Sequence, residues 1–303
     1  RHAGYCRRVT YSIVARDPAT GAFGVAVQSH WFGVGSIVPW VRPGAGAVAT
    51  QSIPELRHGP EGLDAMARGG DAEEVLRELV ADDPAAAYRQ VGIVDRKGHA
   101  RAFTGASCIA HAGQATGDGY ACQANMMERD TVPAAMAAAF EAGQGKPFGD
   151  RLLAALDAAE GEGGDVRGRQ SAALVIAPAD GEPWERDADL RVEDHPDPLV
   201  ELRRLLGLRR AYALADTGDA LSGAGRLEEA ARAYADAAAA APGNAELRFF
   251  AGLGAAQAGD LDAGVAQVRA AIEGNPRLAE LLRRVPADMA PAAPAVRERL
   301  DAS

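Results

Sequence analysis

The first apolar run, Tyr11–Arg16, is rich in β-forming side chains, and a second follows at Phe23–Ser29. Asp17-Pro-Ala-Thr-Gly21 between them is dense in turn residues, so the pair predicts a hairpin. Trp31–Val41 is punctuated by glycines, and Gly46–Gln51 reads as a third strand. Helical spacing follows: Leu63 and Met66 within Gly59–Gly69, then Val75, Leu76 and Leu79 within Ala72–Asp82. Arg89–Asp95 and Ala100–Phe103 flank Arg96-Lys97-Gly98 as a second hairpin. Cys108–Ala112 and Tyr120–Ala124 form an expected third. Two helices are predicted around Pro133–Ala142 and Gly149–Gly161, then a strand at Ser171–Ile176.

Strands thus come in hairpins and helices in pairs, which predicts a layered α+β domain with helices on antiparallel sheets. Strict βαβ alternation is absent. Gly33, Gly35, Gly44 and Gly46 do not form GxGxxG after a strand, and no GxxxxGK[ST] occurs, so nucleotide-binding loops are not expected. Beyond Leu199 the composition turns to Ala, Leu, Arg and Glu. Setting Gly225-Arg-Leu-Glu-Glu-Ala230 over Gly259-Asp-Leu-Asp-Ala-Gly264 pairs Leu227 with Leu261, Tyr234 with Val268, Ala237 with Ala271 and Pro242 with Pro276. That period, about 34 residues, is the tetratricopeptide one, although a generic Ala-rich helical hairpin would also fit. Two repeats fall short of a free-standing solenoid, so a helix at Leu199–Leu214 is expected to cap them, or they lean on the first domain. The expected organisation is a leader at 1–9, an α/β domain at 10–198, helical repeats at 199–285 and a tail at 286–303. Asp194-His-Pro-Asp-Pro198 would be the stiff joint.

The 303 residues fit two domains, and a net charge of −10 argues against a nucleic-acid footprint, which would be basic. No apolar run reaches the length of a membrane span, so neither a membrane nor a nucleic-acid partner is expected, and the cytoplasm is the expected compartment. Cys6, Cys108 and Cys122 are widely spaced, read as thiols in a reducing compartment, and make no metal-ligand spacing with histidine. No metal and no cofactor are expected. The chain opens on Arg1 rather than Met, which leaves room for a start upstream.

Four segments carry a resemblance: Thr10-Tyr-Ser-Ile-Val-Ala-Arg-Asp17, Gly24-Val-Ala-Val-Gln-Ser29, Gly46-Ala-Val-Ala-Thr-Gln51 and Gly163-Gly-Asp-Val-Arg-Gly-Arg-Gln-Ser-Ala-Ala173. Arg191-Val-Glu-Asp-His-Pro-Asp-Pro198 closes it. Over about residues 10–205 the chain resembles the bacterial "domain of unknown function 1028" family, among the N-terminal-nucleophile (Ntn) hydrolase-like folds. The resemblance implies a four-layer αββα sandwich, followed here by the all-α tetratricopeptide-like region. It also implies hydrolysis of amide or other C–N bonds by a residue at the start of the first strand, whose free α-amine is its own base. A hydroxyl needs such a base within hydrogen-bond reach, and an amine of pKa near 8 can serve. Thr10 matches that position. Family members usually begin Met-Thr, whereas nine residues precede Thr10 here. Either Val9–Thr10 is cleaved, or the start lies elsewhere, or no α-amine is used. Thr10 as an ordinary strand-initiating residue is the competing reading.

Hairpin geometry puts Gln28, Ser29 and His30 beside Thr10, and Thr50 and Gln51 end the third strand towards the same expected cleft. Ser29 and Thr50 are therefore candidate catalytic partners of Thr10. His30, Gln51, Asn125, Asp165, Arg167 and Arg169 are candidate substrate-binding groups. Asn125 can donate to an oxyanion or cap the turn after it, and the two arginines can clamp a carboxylate or pair with Asp165. His58, His99 and His111 are scattered, and His195 lies in the proline-rich joint. The expected function is an Ntn-type hydrolase of a small molecule or peptide. The alternative is a non-catalytic binding module, with the repeats docking a protein partner or mediating self-association.

Overall fold

The computed structural model describes residues 10–302. The leader at 1–9, with Cys6 and the Val9–Thr10 bond, lies outside the described residues. Contacts divide the chain into two units, one ending at Arg204 and one beginning at Leu205.

The first unit is a mixed α/β body with two antiparallel sheets. Its strands are β1 (Thr10–Arg16), β2 (Phe23–Ser29), β3 (Pro39–Arg42), β4 (Gly46–Ser52), β5 (Arg89–Asp95), β6 (Ala100–Thr104), β7 (Gly113–Gly117), β8 (Tyr120–Asn125), β9 (Ser171–Ala177) and β10 (Ala188–Val192). One sheet runs β10-β9-β2-β1-β8-β7 and the other β3-β4-β5-β6. The hairpin register sets Tyr11 opposite Gln28 and Arg16 opposite Phe23. Asp17 closes the turn, its Oδ2 accepting from the Thr20 hydroxyl at 2.7 Å.

The helices are α1 (His58–Ala67), α2 (Ala72–Ala81), α3 (Val132–Ala142) and α4 (Phe148–Gly161). α1 and α2 pack on the β3–β6 sheet, α3 and α4 on the other, and the sheets pack on each other through β1, β4, β5 and β8. Asp71 starts α2 by accepting from Glu74 N at 2.9 Å, the capping role its side chain favours. Because side chains alternate across a strand, the face of β1 carrying Ser12 and Val14 lies between the sheets. Val14, Val25, Val27, Ala47, Ala49, Val94 and Ala173 fill half of that layer as a continuous aliphatic core.

Cys108–Ala112 is not a strand. Ser107 N donates to Ala87 O at 2.7 Å and Cys108 N to Gly105 O at 3.0 Å, so turn bonds engage this stretch and the strand begins only at Gly113. Two strands have no counterpart in the sequence reading: β3, inside the glycine-punctuated stretch, and β10, which pairs with β9 at the sheet edge.

The rest of the chain is helical: α5 (Pro198–Gly223), α6 (Leu227–Ala240), α7 (Ala245–Gln257), α8 (Leu261–Gly274), α9 (Arg277–Arg284) and α10 (Ala293–Asp301). The division between units falls inside α5, and α10 forms within the segment expected as a tail. α7 and α8 approach closely where Gly252 and Gly264 face each other. A Cβ on Gly264 would stand 2.6 Å from Gly252 O, so neither position has room for a side chain. No helix among the described residues is long and apolar enough to cross a membrane.

Candidate functional site

At the Thr10 end of β1 the layer between the sheets is polar. Thr10, Ser12, Ser29, Gln51, Gln90, Gln123 and Asn125 are all buried there. Thr10 Oγ1 donates to Ser29 Oγ at 3.3 Å. The Thr10 carbonyl accepts from Gln51 Nε2 at 3.1 Å and from Asn125 Nδ2 at 3.3 Å. The backbone that presents the Thr10 hydroxyl is thus held by two side-chain amides from different strands.

Those amides belong to a larger network. Gln123 Nε2 donates to Ser12 Oγ at 2.7 Å, and Ser12 Oγ donates to Gln51 Oε1 at 2.6 Å. Gln90 Oε1 accepts from Gln51 at 2.8 Å and from Asn125 at 2.9 Å. Its own amide nitrogen reaches Thr104 Oγ1 at 3.0 Å and Ala124 O at 2.9 Å. Buried amides favour this degree of pairing, since an unpaired one carries its full desolvation cost. In this network Gln123 Oε1 lacks a hydrogen-bond partner among the described residues. Gly92 gives the network its space: a Cβ there would lie 2.2 Å from Gln123 Oε1.

Asp165 forms the neighbouring cluster. Its Oδ2 accepts from His30 N at 2.9 Å, and Arg167 grips it through Nε at 3.2 Å and Nη2 at 3.0 Å. Asp165 therefore ties the 163–171 loop to the residue that follows Ser29. Arg169 instead pairs with Glu160 and Asp197. Glu160 also accepts from Tyr11 Oη at 2.5 Å and Gln28 Nε2 at 2.8 Å. Burial, reinforced by the Glu160 carboxylate, pushes the Tyr11 phenol well above its ordinary range, so it stays a donor. Tyr11 and Gln28 alternate with Thr10 and Ser29, which puts this chain on the opposite face of the sheet.

Of the residues singled out from sequence, Thr10, Ser29, Gln51 and Asn125 are in direct hydrogen-bond contact, and His30, Asp165 and Arg167 meet beside them. Thr50 is apart. It shares a face of β4 with Val48, which packs against Leu63 and Met66 of α1, and its hydroxyl donates to Glu55 O at 3.2 Å. Both N–H groups of Asn125 are engaged by Thr10 O and Gln90 Oε1, which makes it a positioning group for Thr10. Ser12, Gln90 and Gln123 were not singled out. Their signal was a polar residue on an inward position of an otherwise apolar strand.

Two non-glycine residues among those described have positive φ, Ser52 at 66° and Met126 at 53°. Ser52 follows Gln51 and Met126 follows Asn125, so both outliers adjoin the groups that hold Thr10. Such conformations are costly for side-chain-bearing residues and gather at functional sites. Cys122 is fully buried and Cys108 partly so, and burial pushes both thiols up. Among the described residues no group of three His, Cys, Asp or Glu is arranged to hold a metal ion.

A family model described as a family of unknown function, DUF1028, matches residues 10–202. A crystal structure of a protein from Silicibacter pomeroyi, assigned to the same family model, is similar to this chain at 35% sequence identity with a TM-score of 0.59. The match covers 65% of this chain and 88% of that one. No curated protein matches.

Proposed function

The chain belongs to the DUF1028 family, and from that membership together with the Thr10 cluster we propose an Ntn-type hydrolase with Thr10 as its nucleophile. In this reading the two sheets and their flanking helices are the four-layer αββα sandwich of that fold. The observation that carries it is the double amide grip on the Thr10 carbonyl beside the Thr10–Ser29 hydroxyl contact. An unremarkable strand start needs no such restraint, whereas a nucleophile must be held in one attack geometry.

The chemistry runs as follows. Thr10 Oγ attacks the carbonyl carbon of an amide or other C–N substrate, and its proton passes to the α-amine exposed by cleavage of Val9–Thr10. The amine delivers that proton to the leaving nitrogen as the C–N bond breaks, leaving an ester on Thr10. Water then attacks the ester and regenerates the hydroxyl. Ser29 orients Thr10 Oγ, and Gln51 and Asn125 hold its backbone.

Mass spectrometry of the active protein tests this directly. A mature chain beginning at Thr10 is expected. Full turnover by protein that retains Arg1 would overturn the α-amine mechanism.

A second reading, a non-catalytic docking module, draws on the helical unit. There Tyr234, Phe250, Leu253 and Leu281 line a cavity of about 220 Å³ with Asp219 and Gln257 at its polar side. The helices from α6 to α9 would then be two tetratricopeptide-like repeats. If Thr10→Ala leaves every turnover intact while deletion of the helical region abolishes partner capture, this reading replaces the first.

A further inference from the structure

At the other end of β1, about 20 Å from Thr10 by strand rise, Arg16 enters a pocket of about 390 Å³. Three turns meet there. Arg16 N donates to Gly119 O at 2.8 Å, and Gly119 N donates to Gly98 O at 3.1 Å, which joins the β7–β8 and β5–β6 turns to the end of β1.

Three cations line this pocket: Arg16, Lys97 and Arg151. The Arg16 guanidinium makes neither hydrogen bond nor ion pair with any described residue, and its Nε is buried without a partner. The Lys97 ammonium has no ion pair among the described residues. Arg151 is only 7% exposed, yet its carboxylate neighbour, Asp17, stands at 3.6 Å. Its guanidinium rests over the Phe140 ring at 4.1 Å, and its Nε reaches Phe140 O at 3.4 Å. Two carboxylates also line the pocket. Glu141 accepts the Tyr120 hydroxyl at 2.5 Å, and Asp118 sits in the β7–β8 turn.

A partly buried guanidinium normally has its donors satisfied, because an unpaired one carries a desolvation cost with no return. In a chain of net charge −10, the pocket lining itself carries three cations against two carboxylates, with Asp17 set behind Arg151. We propose that this pocket is a binding site for a phosphoryl-type oxyanion, either inorganic phosphate or a phosphate monoester, with Arg16 as its principal ligand. The cations come from β1, from the β5–β6 turn and from α4. That spread suits the several oxygens of a tetrahedral anion better than a planar carboxylate, which a single arginine fork saturates. The site is separate from Thr10 and stands whichever reading of Thr10 prevails.

Calorimetric titration of the full chain with inorganic phosphate at fixed ionic strength tests the proposal, with chloride and acetate as comparison anions. Saturable phosphate binding is expected, weakened about tenfold or more in Arg16→Met and less in Lys97→Met, whose rim position makes its share salt-sensitive. Arg16→Met should leave the melting temperature of phosphate-free protein unchanged or raised, since it removes a buried donor that has no partner. Thr10→Ala should bind phosphate normally. Phosphate and glycerol phosphate titrations separate the free ion from the monoester as the preferred form. The proposal falls if phosphate gives no saturable response beyond chloride, if acetate binds as tightly, or if neither Arg16→Met nor Lys97→Met weakens binding. Lys97→Met keeps the test decisive should Arg16→Met fail to fold.

Discussion

Halfway along β1 the layer between the two sheets changes material. From Val14 onward it is valine and alanine, while from Ser12 back to Thr10 it is hydroxyls and side-chain amides. Both halves are equally buried, yet they are held in different ways. The aliphatic half gains from removal of apolar surface and tolerates adjustment, because dispersion and burial have little direction. The amide half works only if each donor meets its acceptor, so its members fix one another's rotamers and the strands that carry them. A region built that way is suited to holding Thr10 still.

The sharpest way to break the contrast is Thr10→Ala. On the proposed reading, hydrolysis of whichever amide or ureido compound the wild type turns over should fall about 10³-fold or more. Stability should drop by only about 1 kcal/mol, since one 3.3 Å hydroxyl contact is lost. Activity and denaturation midpoint measured on the same preparation check this, and a loss of stability without loss of turnover would make Thr10 structural.

Next in size is Gln51→Leu, which removes one of the two donors to Gln90 Oε1 and to the Thr10 carbonyl and leaves the Ser12 hydroxyl without its acceptor in a dry layer. We expect about 3 kcal/mol of destabilisation by urea unfolding, against about 2 kcal/mol for Val27→Ala in the aliphatic half. Equal or reversed values would show that the amides are individually replaceable.

Gly92→Ala should cost about 2 kcal/mol as Gln123 is displaced. Hydrogen exchange would report faster opening around Ser12, and an unaltered exchange pattern would mean that Gln123 has another place to go.

The smallest effect lies outside the layer, at His58, whose Nε2 is 3.5 Å from Asp83 Oδ2. Burial lowers the His58 pKa from its ordinary 6.5, with Asp83 opposing. The folded state then binds the proton less readily than the unfolded chain, so this contribution is complete above pH 6.5 and is lost as pH falls through the depressed folded value. His58→Gln should flatten the stability profile in that window. The Asp83 carboxyl is separable from it: burial raises its pKa but is outweighed by Arg89 and the Ala85 N–H, which hold it below 3.8. A profile between pH 8 and 5 that keeps its slope in the variant would assign it elsewhere.

Local signals in the chain made the first hairpin legible, because turn chemistry at Asp17–Gly21 and two flanking β-rich runs agree on it. The same register argument brought Ser29 to Thr10. Alternation also separates Thr50 from Gln51, since adjacent strand residues cannot share a face, yet a cleft drawn at strand ends ignored it. The amide network was hidden for another reason. Ser12 meets Gln51 and Gln123 across 39 and 111 residues of chain, and no local periodicity encodes such pairings. β3 and β10 were missed because their short runs sit among glycines and charges, and neighbouring strands supply the pairing that propensity does not.

The 2.2 Å separation between a hypothetical Cβ at residue 92 and Gln123 Oε1 bears on how this interior can change over generations. A methyl group at residue 92 is costly while glutamine stands at 123, and becomes nearly free once that side chain has shortened. The two substitutions therefore have a favoured order: the route in which Gln123 yields first avoids the clash, and after Gly92 has gained its methyl a return to glutamine meets it. Lineages that diverge at this pair would meet different costs for the same single change.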